Sequence, residues 1–306
     1  MSRLRTYAQL VRLPNLPSAL ADICLGALAV GALPGRWLAF LLLLCSTACL
    51  YCGGMVWNDF FDVEQDKRER PERPIPSGRI SRREAGRFGA VLLAAGLLFA
   101  LCAGLAVGQF GPKNSVLTPP LLAGGILAAI FLYDGWLKRT PLGPVAMGLC
   151  RFLNVLLALS VSGSLPGLPE THLAFVVGLY VAGVTWFART EARLSSQWPL
   201  GGALAVMLFA LALALPLATY DKPSRSSLLF PYLLVVLGVA VGIPASQAIA
   251  VPTPNRVQAG VKRALMALVL LDATLATALA GTVGLVILLL MGPSLYLNRK
   301  RWLYAT

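Results

Sequence analysis

Residues 58–78 read NDFFDVEQDKRERPERPIPSG and lie between two long apolar segments. Three aspartates in this stretch, Asp59, Asp62 and Asp66, are spaced by three and four residues. If the preceding apolar helix continues through them, all three carboxylates share one helical face. Such carboxylates repel one another unless a cation lies among them, and Mg²⁺ binds through a few carboxylates, water and substrate phosphate. The stretch therefore predicts a site for Mg²⁺ and a diphosphate at the end of a membrane helix.

Basic residues follow the aspartates directly. We expect Lys67 and Arg73 to contact the diphosphate, because charged donors bind phosphate oxygens strongly. The alternative is a solvated loop without a ligand, since residues 67–84 mix both signs of charge. The run of asparagine and three spaced aspartates, followed by Arg-Pro-Ile-Pro-Ser-Gly, is more specific than such a loop. We therefore favour the binding site.

The rest of the chain is apolar enough to cross a membrane many times. Its 306 residues are 57% hydrophobic and 13% charged, and the mean hydropathy is +0.74. Repeated apolar runs of roughly 17–25 residues are typical of α-helical membrane proteins. The basic start and the apolar segment behind it are better interpreted as a first span than as a cleavable signal peptide. We predict an all-α, polytopic integral membrane protein with a single domain, residues 1–306.

Nine spans are predicted, and a tenth is left open. The stretch 282–297 is either the end of a bent ninth span or a separate tenth one, because Gly281 and Gly284 permit a break. The nine spans are 15–33, 37–57, 86–108, 117–136, 143–162, 172–189, 198–218, 228–249 and 261–280.

The distribution of charge predicts the orientation. A net charge of +13 would suit nucleic acid, but the cations lie in short loops between spans, so we expect no nucleic-acid partner. With a cytoplasmic amino terminus and the basic tail set aside, the opposite side holds only Arg36, Lys113, Lys222 and Arg225. The positive-inside rule therefore predicts that the site loops and the amino terminus are cytoplasmic, with a bacterial inner membrane as the expected location.

Polar side chains also occur within the predicted spans, where ionisable groups are costly and face a partner or a cavity. Two interpretations stay open and are compatible. One is an internal ion pair between an aspartate and the arginine, and the other is a pocket for a second substrate. The residues are Asn15, Ser18 and Asp22 in the first span, Arg151 and Asn154 in the fifth, and Asp272 in the ninth.

On these residues the chain resembles the UbiA-type family of intramembrane prenyltransferases. The run from Asn58 to Gly78 resembles the family's first Asp-rich signature, and Tyr133 to Lys138 is similar to its Tyr…Lys loop after the fourth span. The resemblance implies nine helices around a central, lipid-open cavity. It places Mg²⁺ and a prenyl diphosphate at the cytoplasmic mouth, with Asn58, Tyr133 and Lys138 in the site.

The second signature of that family differs here. Where the family has Asp-x-x-x-Asp after span six, residues 187–193 read FARTEAR. We expect Glu191 to be the remaining metal ligand, while Arg189 and Arg193 neutralise diphosphate oxygens. This variant resembles a divergent branch encoded in Ebo-type secondary-metabolite clusters. It leaves open whether one or two Mg²⁺ ions bind.

The predicted activity is Mg²⁺-dependent transfer of a prenyl group to a small aromatic or hydroxyl-bearing acceptor, in contact with membrane lipid. Asp59 and Asp62 hold the ion, Tyr133 orients the diphosphate or shields the allylic cation, and Asp22 is the expected base for the acceptor proton. Asn15, Arg151 and Asn154 are expected to bind that acceptor. Two alternatives remain: a cyclase or diphosphate lyase of the same fold, and a lipid transporter that uses its basic loops for headgroups.

Overall fold

The computed structural model describes residues 3–33, 35–109, 113–164, 166–189, 195–220 and 227–299. In these ranges the chain forms thirteen α-helices and no strand. A 3₁₀ segment, Gly281–Leu290, joins the last two helices. The helices are α1 (Arg3–Leu10), α2 (Leu16–Ala29), α3 (Trp37–Phe61), α4 (Val63–Glu69), α5 (Arg82–Gly108), α6 (Thr118–Gly135), α7 (Gly143–Leu159), α8 (Leu168–Ala188), α9 (Gln197–Leu213), α10 (Leu217–Tyr220), α11 (Phe230–Ala250), α12 (Pro254–Ala280) and α13 (Met291–Arg299).

The predicted all-α membrane fold is confirmed. Eight helical segments are long and apolar enough to cross a membrane, and the shorter apolar segment Leu13–Ala29 lies where the first span was predicted. Each of the nine predicted spans therefore coincides with a helix.

Some helices begin before the apolar run that predicted them. Helix α5 begins at Arg82 rather than at residue 86, because Ser81 caps it: the backbone N–H of Glu84 donates to the Ser81 hydroxyl at 3.2 Å. Helix α12 begins at Pro254, where proline fits the first helical turn. Capping chemistry thus extends these helices beyond their apolar segments.

The stretch 282–297 is not a continuous tenth helix. Helix α12 ends at Gly281, whose φ of +66° is a conformation that glycine adopts readily. The chain then turns back, and the 3₁₀ segment packs against α12 and α2. The short α13 follows and packs beside residues 13–15. The carboxyl-terminal apolar stretch therefore folds back along α12, as a broken helical segment, toward residues 13–15.

Helix α2 joins two halves of the bundle. It packs against α3, α7 and α12. Its Ala21 and Leu25 belong to a core formed mainly by α8, α9, α11 and α12. Its Ile23 and Ala27 belong to a second core formed mainly by α3, α5 and α6. Polar groups on α2 consequently lie at the junction of the two halves.

Helices α7 and α8 approach closely at Gly148 and Gly178, where a Cβ added to Gly148 would lie 2.5 Å from the Gly178 carbonyl oxygen. Gly148→Ala is expected to lower the stability of the protein by about 1–3 kcal/mol, because the two backbones must separate. Thermal unfolding in detergent micelles measures this. Gly124→Ala on α6 is the control, since its methyl group would meet open space. Equal losses in both variants would contradict the close-packing role.

Candidate active site

A cavity of about 740 Å³ opens between the two halves of the bundle. At one end it is lined by charged and polar side chains from the ends of α3, α6 and α8, from α4, and from the loops after α4 and α6. Its wall is largely apolar and includes Ile126, Ile130, Met147, Val184 and Val269. This combination suits a ligand with one charged end and a hydrocarbon body.

The aspartates of the opening motif lie at the charged end of the cavity. The predicted continuous helix is interrupted at Asp62, between α3 and α4. The backbone N–H of Asp62 donates to the Asn58 carbonyl at 3.1 Å, and that of Asp66 donates to the Asp62 carbonyl at 2.8 Å. Because helical hydrogen bonds continue on both sides of Asp62, the three aspartates stay close together. Asp62 and Asp66 line the cavity, and Asp59 is buried beside them.

Arg73 bridges two of these carboxylates. Its Nη1 lies 3.2 Å from Asp59 Oδ1 and 2.8 Å from Asp66 Oδ2. The guanidinium is held inward by the Pro-rich turn, in which the Ser77 hydroxyl donates to the Arg73 carbonyl at 2.6 Å. The Arg-Pro-Ile-Pro-Ser-Gly run thus folds into a turn that buries its arginine.

Two further cations that contact the aspartates of the motif, Lys138 and Arg12, come from distant parts of the chain. Lys138 Nζ lies 2.5 Å from Asp62 Oδ1 and 3.7 Å from an oxygen of Asp134. Arg12 Nη2 lies 2.9 Å from Asp59 Oδ1. Every aspartate of the motif therefore has an internal cation as its partner.

The residues fit a Mg²⁺–diphosphate complex only if these cations change partners. Over the described ranges, no three acidic, histidine or cysteine side chains are grouped closely enough to hold a metal ion. However, Arg73 Nη1 occupies a position from which a cation contacts both Asp59 and Asp66. Mg²⁺ needs only one or two carboxylates when water and phosphate complete its octahedron. The donor set is therefore suitable once Arg73 moves to the phosphate.

Acidification is expected to weaken cation binding at Asp66. Burial raises the pKa of this carboxyl above its ordinary value, although the neighbouring Arg73 acts in the opposite direction. A raised pKa means that a proton competes with the cation at a higher pH than it would at a free aspartate.

A second polar group lines the wall between α2 and α7. Arg151 donates from Nη1 to Asp22 Oδ2 at 2.9 Å and from Nη2 to the Ser18 hydroxyl at 2.7 Å. Asn154 Nδ2 donates to the same Asp22 oxygen at 2.7 Å, and its Oδ1 accepts from Thr47 at 2.8 Å. The predicted ion pair between Asp22 and Arg151 is present.

Most of the predicted site residues line this cavity. They are Asn15, Asn58, Asp62, Asp66, Arg73, Tyr133, Lys138, Arg151, Asn154 and Arg189. Asp59 does not line the cavity itself but pairs with Arg73, which does. Asp22 is fully buried behind Arg151 and Asn154. Lys67 is not among the lining residues and pairs instead with the exposed Glu64 at 2.7 Å. Glu191 and Arg193 fall outside the described residues.

Asp134 and Arg12 contact predicted site residues at the charged end of the cavity but were not assigned from the sequence. Asp134 accepts a hydrogen bond from Asn58 Nδ2 at 2.6 Å, and its position directly after Tyr133, at the end of a span, was the available signal. Arg12 lies in the basic start of the chain, where the sequence gives no sign of its contact with Asp59. Its φ of +48° is the only positive value of a non-glycine residue over the described part of the chain. Such strain is concentrated at functional sites.

Residues 19–305 match the UbiA prenyltransferase family. Among curated relatives, the digeranylgeranylglyceryl phosphate synthase of Ignicoccus hospitalis is 36% identical over 140 residues, which are 46% of this chain and 41% of that protein. The synthase of the same name from Methanocaldococcus jannaschii is 29% identical over 168 residues, covering 51% and 59% of the two chains. This chain therefore spans about half the length of the curated relatives it matches.

Solved structures show the same fold. A digeranylgeranylglyceryl phosphate synthase superimposes with a TM-score of 0.62 at 22% identity, covering 91% of this chain and 99% of that one. A UbiA homologue from Archaeoglobus fulgidus bound to DMAPP and Mg²⁺ gives 0.56 at 14% identity, covering 85% and 97%. These named relatives belong to a different branch from the Ebo-type one that the sequence suggested.

Proposed function

Because this chain belongs to the UbiA prenyltransferase family, we propose that it is an integral membrane enzyme that transfers the prenyl group of a prenyl diphosphate to an acceptor. The single observation that carries the proposal is the arrangement of Asp59, Asp62 and Asp66 with their cations at the charged end of an apolar cavity. The diphosphate binds at that end, and the prenyl chain occupies the apolar body. The whole chain acts as one domain.

The cations of the site neutralise the departing diphosphate. Lys138 and Arg73 exchange their carboxylate partners for phosphate oxygens, while Asp59, Asp62 and Asp66 become available to Mg²⁺. When bound, Mg²⁺ supplies further charge neutralisation to the leaving group. Electrostatic stabilisation of this kind contributes several kcal/mol for each major contact. The exchange makes binding of the ion and of the diphosphate mutually dependent.

The cavity wall protects the reacting carbon. Cleavage of the bond between the prenyl carbon and oxygen leaves an allylic cation, which water would capture. The apolar side chains around Met147 and Val184 keep water away, and the Tyr133 ring is placed to shield the cation. Asp22 does not line the cavity, so we assign it a supporting role instead of the role of general base that the sequence suggested.

The acceptor is proposed to bind at Asn15 and Arg151. Asn154, which the sequence also suggested, already donates to Asp22 and to the Ala19 carbonyl and supports the site from behind. A hydroxyl-bearing acceptor fits Asn15 and Arg151, as does the aromatic class. The relatives' name specifies a product with a glyceryl phosphate, and Arg151 supplies the charge that would bind such a phosphate. We therefore propose an acceptor with a hydroxyl nucleophile and an anionic group. Its hydroxyl oxygen forms the new bond to the allylic carbon, and its proton passes to the released diphosphate.

Product analysis tests the proposal. Purified protein is incubated with Mg²⁺ and prenyl diphosphates of several lengths, with and without a prenylglyceryl phosphate, and the products are identified by mass spectrometry. Transfer products support the proposal. Products formed from the diphosphate alone would identify a cyclase or lyase, and the absence of any product would favour the lipid transporter.

Arg189→Ala is expected to raise the KM for the prenyl diphosphate by about tenfold, because a charged hydrogen bond to phosphate is lost. Arg189 ends α8 at the cavity. Steady-state kinetics with varied prenyl diphosphate measure the change. Arg87→Ala removes an exposed arginine outside the cavity and is the control. If both variants keep the original KM, Arg189 does not contact the diphosphate.

The orientation remains part of the proposal. The charge distribution favours a cytoplasmic amino terminus and cytoplasmic site loops, in a bacterial inner membrane. A cysteine introduced by Ser77→Cys should react with an impermeant maleimide only after the cells are opened; reaction in intact cells would reverse the orientation.

A further inference from the structure

Two carboxyl groups lie side by side in the interior between α2 and α12. They belong to Asp22 on α2 and Asp272 on α12, two helices that pack together; both residues are 0% exposed, and they are electrostatic neighbours. Arg151 pairs with Asp22 at 2.9 Å. Two ionised carboxylates beside one guanidinium would leave a net negative charge in the buried interior, and neighbouring carboxylates in such a place do not both ionise.

Among the described residues, three carboxylate oxygens of this pair have no hydrogen-bond donor. Asp22 Oδ2 accepts from both Arg151 and Asn154. Within the part of the chain that the structure describes, Asp22 Oδ1 and both oxygens of Asp272 have no donor. A proton on Asp272 would supply the donor that Asp22 Oδ1 lacks. It would also cancel the excess negative charge.

We propose that Asp22 and Asp272 share a single proton, carried by Asp272, and that this arrangement positions Arg151 to bind an anionic group of the acceptor. The second half of the proposal rests on the proposed function. Asp22 and Asp272 are positioning residues, because neither lines the cavity.

The shared proton determines whether an anion can bind. Arg151 makes three hydrogen bonds, to the Ser18 carbonyl, the Ser18 hydroxyl and Asp22, whereas a guanidinium has five N–H donors. Donors therefore remain for a ligand on the cavity side. If both aspartates were ionised, the group would be negative overall and would repel an anionic acceptor.

Matched variants of Asp272 test the positioning role with a prenylglyceryl phosphate as the acceptor probe. Asp272→Asn keeps a donor toward Asp22, and the acceptor KM is expected to stay within about threefold of the original, whereas Asp272→Leu removes the donor and is expected to raise it about tenfold. The KM for the prenyl diphosphate should not change in either variant. The corresponding prenylglycerol, which lacks the phosphate, should show no difference between the two variants.

Infrared spectroscopy tests the proton without any substrate. The difference spectrum of the original protein minus Asp272→Asn is expected to contain the carbonyl band of a protonated carboxylic acid, shifted in D₂O. Absence of that band, or an acceptor KM that rises equally in Asp272→Asn and Asp272→Leu, overturns the proposal. If the original protein transfers nothing to any acceptor, the proposed function fails, and the infrared band still decides whether the proton is shared. Thermal unfolding of each variant confirms that folded protein is compared.

Discussion

Asp62→Asn is expected to reduce Mg²⁺-dependent release of diphosphate by about 100-fold to 1,000-fold, the usual effect of removing one major electrostatic contact with a transition state. The amide keeps the shape of the side chain but removes the charge that now pairs with Lys138 at 2.5 Å. It also provides a poorer ligand for a hard cation. Release of diphosphate from a prenyl diphosphate, measured with purified protein at varied Mg²⁺, reports the loss.

Glu64→Gln is the matched control for Asp62→Asn. Glu64 carries a carboxylate on the same segment, but its side chain is 74% exposed and lies outside the cavity. Its activity is expected to remain unchanged. Glu191→Gln should reduce activity less than Asp62→Asn does, because the first signature holds the ion. Undiminished release by Asp62→Asn would remove the aspartates from the site.

The membrane fold was predictable because hydropathy alone determines which segments span. The nine apolar runs became nine helical segments, and several ends moved by a few residues, as at α5, which the Ser81 cap extends. The bend at Gly281 was permitted by the sequence but not specified. Its direction depends on packing of the 3₁₀ segment against α12 and α2, which is a tertiary effect.

The site was only partly predictable, because its ion pairs join distant parts of the chain. The spacing of the aspartates indicated a shared end of the cavity, but the contact of Arg12 with Asp59 spans 47 positions. Such a contact follows from how the helices pack. Lys67 does not line the cavity, and the reason is local. It is next to Asp66 in sequence, and successive residues of a helix point in different directions. Asp66 lines the cavity, and Lys67 pairs with Glu64 instead.

Arg73→Met is expected to change two properties in opposite directions. Activity, as kcat/KM, should fall about 100-fold, because one partner of a buried charge network is removed and the diphosphate loses a donor. The affinity for Mg²⁺ without any diphosphate should rise, since Asp59 and Asp66 lose the cation that lies 3.2 Å and 2.8 Å from them. Calorimetric titration with MgCl₂ measures the second property, and steady-state kinetics measure the first.

Arg73→Lys distinguishes charge from shape in this position. An ammonium group keeps the charge but lacks the planar, five-donor fork of a guanidinium, so both properties should lie between those of the original protein and Arg73→Met. Thermal unfolding of both variants shows whether the turn that buries Arg73 is retained. If Arg73→Met loses activity while its affinity for Mg²⁺ alone stays the same, Arg73 does not compete with the ion. Its contacts with Asp59 and Asp66 would then be structural, and the exchange of partners proposed for the bound state would be wrong.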